Sequence, residues 1–148
     1  MALGHFSLDL KRMSIVKGSV FRMTLYPSEG VVPKHKSDIS RDKYFVVLGI
    51  EGDNLLVGSL LINTQININL IKIIAPYQYL LTCESYEFLN QKSRYVDCYE
   101  IKEISLNRIA LEADYIGMLQ DEDIENIIDI TKASPANKPS QLKKYNLL

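Results

Sequence analysis

The chain has 148 residues, 47% of them hydrophobic, and a formal net charge of -1. That length suits one domain with one core and leaves no room for a second, while near-neutrality gives no overall case for a nucleic-acid binder. The sign is nevertheless uneven, +4 over residues 1–50 and -5 over residues 51–148, an asymmetry able to steer an anion if the fold gathers the cations.

No stretch approaches the roughly 18 uninterrupted apolar residues of a membrane helix. The first thirty residues lack a basic segment, apolar core and small-residue cleavage site. Together these predict a cytoplasmic protein with no membrane partner. Cys83 and Cys98 are expected to be buried and reduced, and two cysteines without a histidine cluster predict no zinc site; no metal and no cofactor are expected.

In chain order, residues 1–16 form a leading segment with a short helical turn over 7–16, broken by Lys17-Gly18. Residues 18–26 mix β-branched and aromatic residues with Arg22 and Thr24, which predicts a strand that Pro27 ends. From Val31 to Asp42 there is charge without period, an exposed loop of the length often used for function. Strands at 44–50 and 54–62 joined through Glu51-Gly52-Asp53-Asn54 read as a hairpin.

Residues 65–74 alternate Ile66, Ile68 and Leu70 with Asn67 and Asn69, the period of a half-buried strand. Further strands are expected at 78–82 and 94–104, and a short segment at 108–112 closes the β part. After Gly117 the period becomes helical. Asp121, Glu122 and Asp123 crowd a first turn, Lys132 lies in the last, and Ser134-Pro135 stops the helix. Residues 135–148 read as either a loosely docked tail helix or a disordered tail.

The chain therefore divides into a leading segment (1–16), a barrel (17–113), a helix (114–134) and a tail (135–148). The expected fold is mainly β with a C-terminal helix, a small, strongly bent antiparallel sheet of the SH3-like barrel kind.

The order Gly18-Ser19-Val20-Phe21 to Tyr26-Pro27, a variable loop, Lys43 to Leu48, Asn63-Thr64-Gln65, Ser93 to Asp97 and Ile116 to Leu119 before a helix resembles the MazF/PemK-type toxins of toxin-antitoxin modules. The resemblance spans about residues 17–132. It implies a homodimeric barrel that cuts single-stranded RNA without metal through the ribose 2′-hydroxyl, with an antitoxin protein as partner. The family's Arg-Pro pair falls on Lys43-Tyr44 and its Thr-Thr-Gln on Asn63-Thr64-Gln65, so both positions depart from the pattern. Lys43 carries the charge of an arginine without its forked donors.

On that reading the catalytic candidates are His35, Arg41, Lys43 and Thr64, and the RNA-binding candidates are Lys34, Lys36, Asn63, Gln65, Arg94 and Asp97. His35 supplies a proton donor or acceptor near neutral pH, whereas the arginines only stabilise charge. Asp97 acts as base or orients Arg94, and Tyr77, Tyr79, Tyr95 and Tyr99 are candidates for stacking bases. Each has a plainer reading: His35, Lys34 and Lys36 as solvated loop residues, Arg41 and Lys43 as a wet strand entrance, Asn63-Thr64-Gln65 as a strand cap, and Arg94 with Asp97 as a cross-strand ion pair. The alternative function is a catalytically inactive barrel that binds RNA or a protein partner.

Overall fold

The computed structural model describes residues 8–29, 41–53, 55–66 and 70–148. The expected fold class is the one observed: a strongly curled antiparallel half-barrel sheet with a C-terminal helix, although helix (35%) is as abundant as strand (34%). Seven strands make the sheet, β1 (Ser19–Leu25), β2 (Arg41–Ile50), β3 (Leu56–Asn63), β4 (Gln78–Leu81), β5 (Arg94–Asp97), β6 (Lys102–Ser105) and β7 (Asp114–Met118). Their order is β4-β5-β3-β2-β1-β7, with β6 also paired to β3.

The β2–β3 hairpin forms as its Gly-Asp turn predicts and extends further than its apolar run, since β2 begins at Arg41. Period-two alternation sends its side chains to two separate clusters. Val46, Leu48, Leu60 and Ile62 join Val20 and Val96 on one face, while Phe45, Val47, Val57 and Leu61 join Phe21 and Met23 on the other. The core is thus split by the sheet. The first cluster is closed by α4 (Asp121–Ala133) and α5 (Pro139–Lys144) through Ile124, Ile127 and Leu142, and the second by α3 (Leu106–Glu112) through Ile109 and Ala110.

Several expected elements differ. The strand at 65–74 does not form over its second half: Ile71–Ile74 is a short helix, α2, with Ile71 and Ile73 exposed and only Ile74 buried. β3 already pairs with β2 on one side and with β5 and β6 on the other, so no edge of it remains, and the isoleucine-rich run yields to context. Residues 67–69 lie outside the described chain.

The single strand expected at 94–104 is two, because β5 pairs with the Asn63 end of β3 and β6 with its Leu56 end. Asn137 holds the break between them. Its Oδ1 accepts from the Ile101 N–H at 2.9 Å, and its Nδ2 donates to the carbonyls of Cys98 (3.3 Å) and Thr131 (2.9 Å). The 108–112 segment is helical, starting where Ser105 caps the Arg108 N–H. Residues 114–118, assigned by sequence to the late helix, instead form edge strand β7 on β1. The helix proper begins at Asp121 and stops before Ser134, as the acidic first turn and Pro135 require.

A short helix, α1 (Leu8–Met13), leads the described chain. The C-terminal tail is packed: Leu142, Tyr145 and Leu147 are all buried. Tyr145 lies over the cross-strand pair Gly49 and Gly58, where a Cβ on Gly58 would come within 2.8 Å of its ring. Any larger residue there would displace the tyrosine.

Candidate functional site

The first four residues of β2 are Arg41, Asp42, Lys43 and Tyr44, and its neighbours bring their own ends beside them. β1 contributes Arg22, paired across to Tyr44; β3 contributes Ile62, also opposite Tyr44; and β5 begins at Arg94. Together with Thr64 these residues line a cleft of about 360 Å³ at one rim of the sheet. Tyr44, Ile62 and Arg22 share a sheet face, whereas Lys43 and Arg41 alternate to the other, so the cleft runs over the strand ends.

Lys43 is only 8% exposed. Burial pushes its pKa down to about 8, the positive charges of Arg41 and Arg94 push the same way, and Asp97 opposes them. Its Nζ donates to the Oδ1 of Asn63, the residue directly across the strand pair. Asp42 accepts from the Thr24 hydroxyl at 2.7 Å and from Arg22 at 3.2 Å, and these bonds hold its carboxyl below the usual range.

Arginine is otherwise well partnered here. Arg12 donates to Asn107, Arg22 to Asp42, and Arg108 to Glu29, Glu112 and the Thr24 carbonyl. Arg41 and Arg94, the two beside Lys43, have no carboxylate or carbonyl acceptor among the described residues. The Nε of Arg94 is buried without a hydrogen-bond partner, and its guanidinium lies 4.4 Å over the Tyr44 ring. Four cations line the cleft: Arg22 is paired with Asp42, Arg41 and Arg94 have no such partner among the described residues, and their charges depress the Lys43 pKa.

Of the residues singled out by sequence, Arg41, Lys43, Thr64 and Arg94 meet in the cleft, and Asn63 joins them through Lys43. Gln65 is exposed and does not line it. Lys34, His35 and Lys36 lie outside the described residues. Asp97 accepts from Gln78 at 2.9 Å and from the Tyr99 N–H at 3.1 Å, and on β5 it faces away from Arg94, so the cross-strand ion pair is replaced by the Arg94–Tyr44 stack.

Of the proposed stacking tyrosines, Tyr77, Tyr79 and Tyr99 are otherwise engaged. Tyr77 packs on Tyr99 at 5.6 Å, and Tyr79 donates to Asp123 beside Tyr86. Tyr95 sits across from Asn63 and Leu80. Sequence reasoning missed Arg22, Asp42, Tyr44 and Ile62 as lining. A polar Arg22 inside an apolar strand was the one available signal.

Cys98 is buried, with its thiol pushed up to about 12 by burial, and Cys83 is half-buried; the two are not joined. Among the described residues no group of three or more His, Cys, Asp or Glu is placed to hold a metal ion, and no helix is long and apolar enough to cross a membrane. No protein-family model matches the chain, and no curated protein matches it.

Proposed function

We propose that the rim cleft binds the backbone of single-stranded RNA and that the protein is a metal-independent endoribonuclease of the MazF/PemK kind, working in the cytoplasm as a homodimer and held in check by an antitoxin protein. The observation that carries this reading is the convergence of Arg41, Lys43, Thr64 and Arg94, from two strands and the end of a third, on one cleft with no carboxylate paired to Arg41 or Arg94 among the described residues. Phosphodiesters are the biological anions that such a mixed guanidinium and ammonium surface fits.

In the reaction the ribose O2′ forms a bond to phosphorus and the bond to the leaving O5′ breaks, giving a 2′,3′-cyclic phosphate and a 5′-hydroxyl. The proton of O2′ passes to a base, and one is delivered to O5′. Lys43, whose proton is labile at about pH 8, is suited to deliver it. Arg41 neutralises the charge that gathers on the phosphoryl oxygens, and the Thr64 hydroxyl donates to one of them. His35 is the candidate base.

Purified protein incubated with mixed RNA in EDTA is expected to yield new 5′-hydroxyl ends that disappear in Arg41→Ala and Lys43→Ala. The binding-only reading draws on a specific contact, the Lys43 Nζ already donating to Asn63. It is the correct one if RNA stays intact yet shifts in a salt-sensitive gel. RNA that is neither cut nor bound at any salt concentration removes both.

A further inference from the structure

The floor of the cleft does not look like a pure phosphate site. Phosphate needs donors, and Arg41 and Lys43 supply them, yet beside those cations lies the half-buried ring of Tyr44, with the buried Ile62 opposite it across β2 and β3. Arg94 lies over that ring, with its Cζ 4.4 Å from the centroid, and its Nε is buried without an acceptor. A guanidinium meant to fork onto phosphate points its donors at the ligand. One stacked on tyrosine presents a planar face instead.

We propose that Tyr44 and Arg94 form a nucleobase subsite, in which a base stacks against the Arg94 guanidinium while Arg41 and Lys43 take the adjoining phosphate. This rests on the RNA-binding reading above and divides the cleft into a base half and a backbone half. Aromatic and guanidinium planes are the two surfaces on which unpaired RNA bases stack. The size agrees, since about 360 Å³ sits at the small end of ligand sites, enough for one nucleotide unit. Because every base has a π face, stacking alone tolerates several sequences. Arg94 is a binding residue in this account, and Tyr44 positions it.

The test uses the full chain and fluorescence anisotropy with two labelled strands of equal length, a 2′-O-methyl RNA that resists cleavage and the same backbone without bases. Arg94→Lys keeps the charge and loses the plane. It is expected to weaken the base-bearing strand about tenfold or more, the order of one lost stack, and to change the abasic strand less than about twofold. Tyr44→Phe should behave as wild type, and Tyr44→Leu should follow Arg94→Lys.

Equal weakening of both strands in Arg94→Lys would overturn the subsite and leave RNA binding standing. Wild-type protein that holds neither strand would instead sink the RNA reading itself, and the subsite with it. Wild-type protein that holds the two strands equally tightly would also overturn the subsite.

Discussion

Lys43 is the residue whose environment says most. A lysine that folds into a site where its charge is disfavoured carries a cost that is fully present at low pH and vanishes once the group is neutral in both states. Its pKa falls from 10.5 to about 8 on folding, so stability should rise between about pH 8 and 10.5. Lys43→Met, similar in length and uncharged, is expected to be the more stable protein at pH 7. Its advantage in urea midpoint should shrink across that interval, and no shrinkage would mean the charge is not desolvated. An anion in the cleft favours protonated Lys43, so RNA affinity should decline as pH rises past about 8.

Arg41 and Arg94 act on the same group. Removing Arg41 should move the Lys43 midpoint upward, readable by NMR at the lysine side chain. It should also reduce the slope of log affinity against log salt by about 0.7, the contribution of one phosphate contact on a single strand. None of this coupling is visible in the sequence, where Lys43 and Arg94 stand 51 positions apart.

At the scale of elements, two joints hold the sheet to its coverings. Asn137 satisfies two backbone groups where β5 gives way to β6, and the Thr131 carbonyl of α4. Asn137→Ala leaves the Ile101 N–H and the Cys98 carbonyl without that partner, while Thr131 keeps its bond from the Ser134 N–H, and should cost on the order of 3 kcal/mol in chemical denaturation. Tyr145 fills the space over Gly49 and Gly58 and donates its hydroxyl to Glu103, which Lys144 also meets at 2.8 Å. Tyr145→Ala is expected to cost about 3–5 kcal/mol, and Gly58→Ala about 1–3 kcal/mol by forcing the ring aside. If Gly58→Ala were neutral, the tail would be resting on the sheet without packing into it. Elements that follow local rules were legible: the hairpin from its Gly-Asp turn, and the late helix from its acidic start and proline stop. The 65–74 strand was not, because alternation describes a face and says nothing of whether a neighbour has an edge to offer.

For the whole molecule, the sheet has apolar side chains on both faces, and each face needs its cover. Removing residues 135–148 would strip Leu142, Tyr145 and Leu147 from one cluster. The shortened chain should keep strand-like far-UV circular dichroism, bind a hydrophobic dye and lose cooperative unfolding. Cooperative melting of the shortened chain would show that the tail is not part of the core.

What the sequence determined by itself was local: a mainly β domain with a late helix, a hairpin in its middle, and cations at the entrance of β2. These follow from periodicity, turn residues and helix ends, all of which act over a few positions. Tertiary structure alone decided that β5 and β6 share one strand as partner, that the tail seals a face, and that Arg94 meets Tyr44 at the rim that Arg41 and Lys43 charge. Those contacts depend on which strand edges remain open after the nearest neighbours have paired, and an open edge is a property of the assembled sheet.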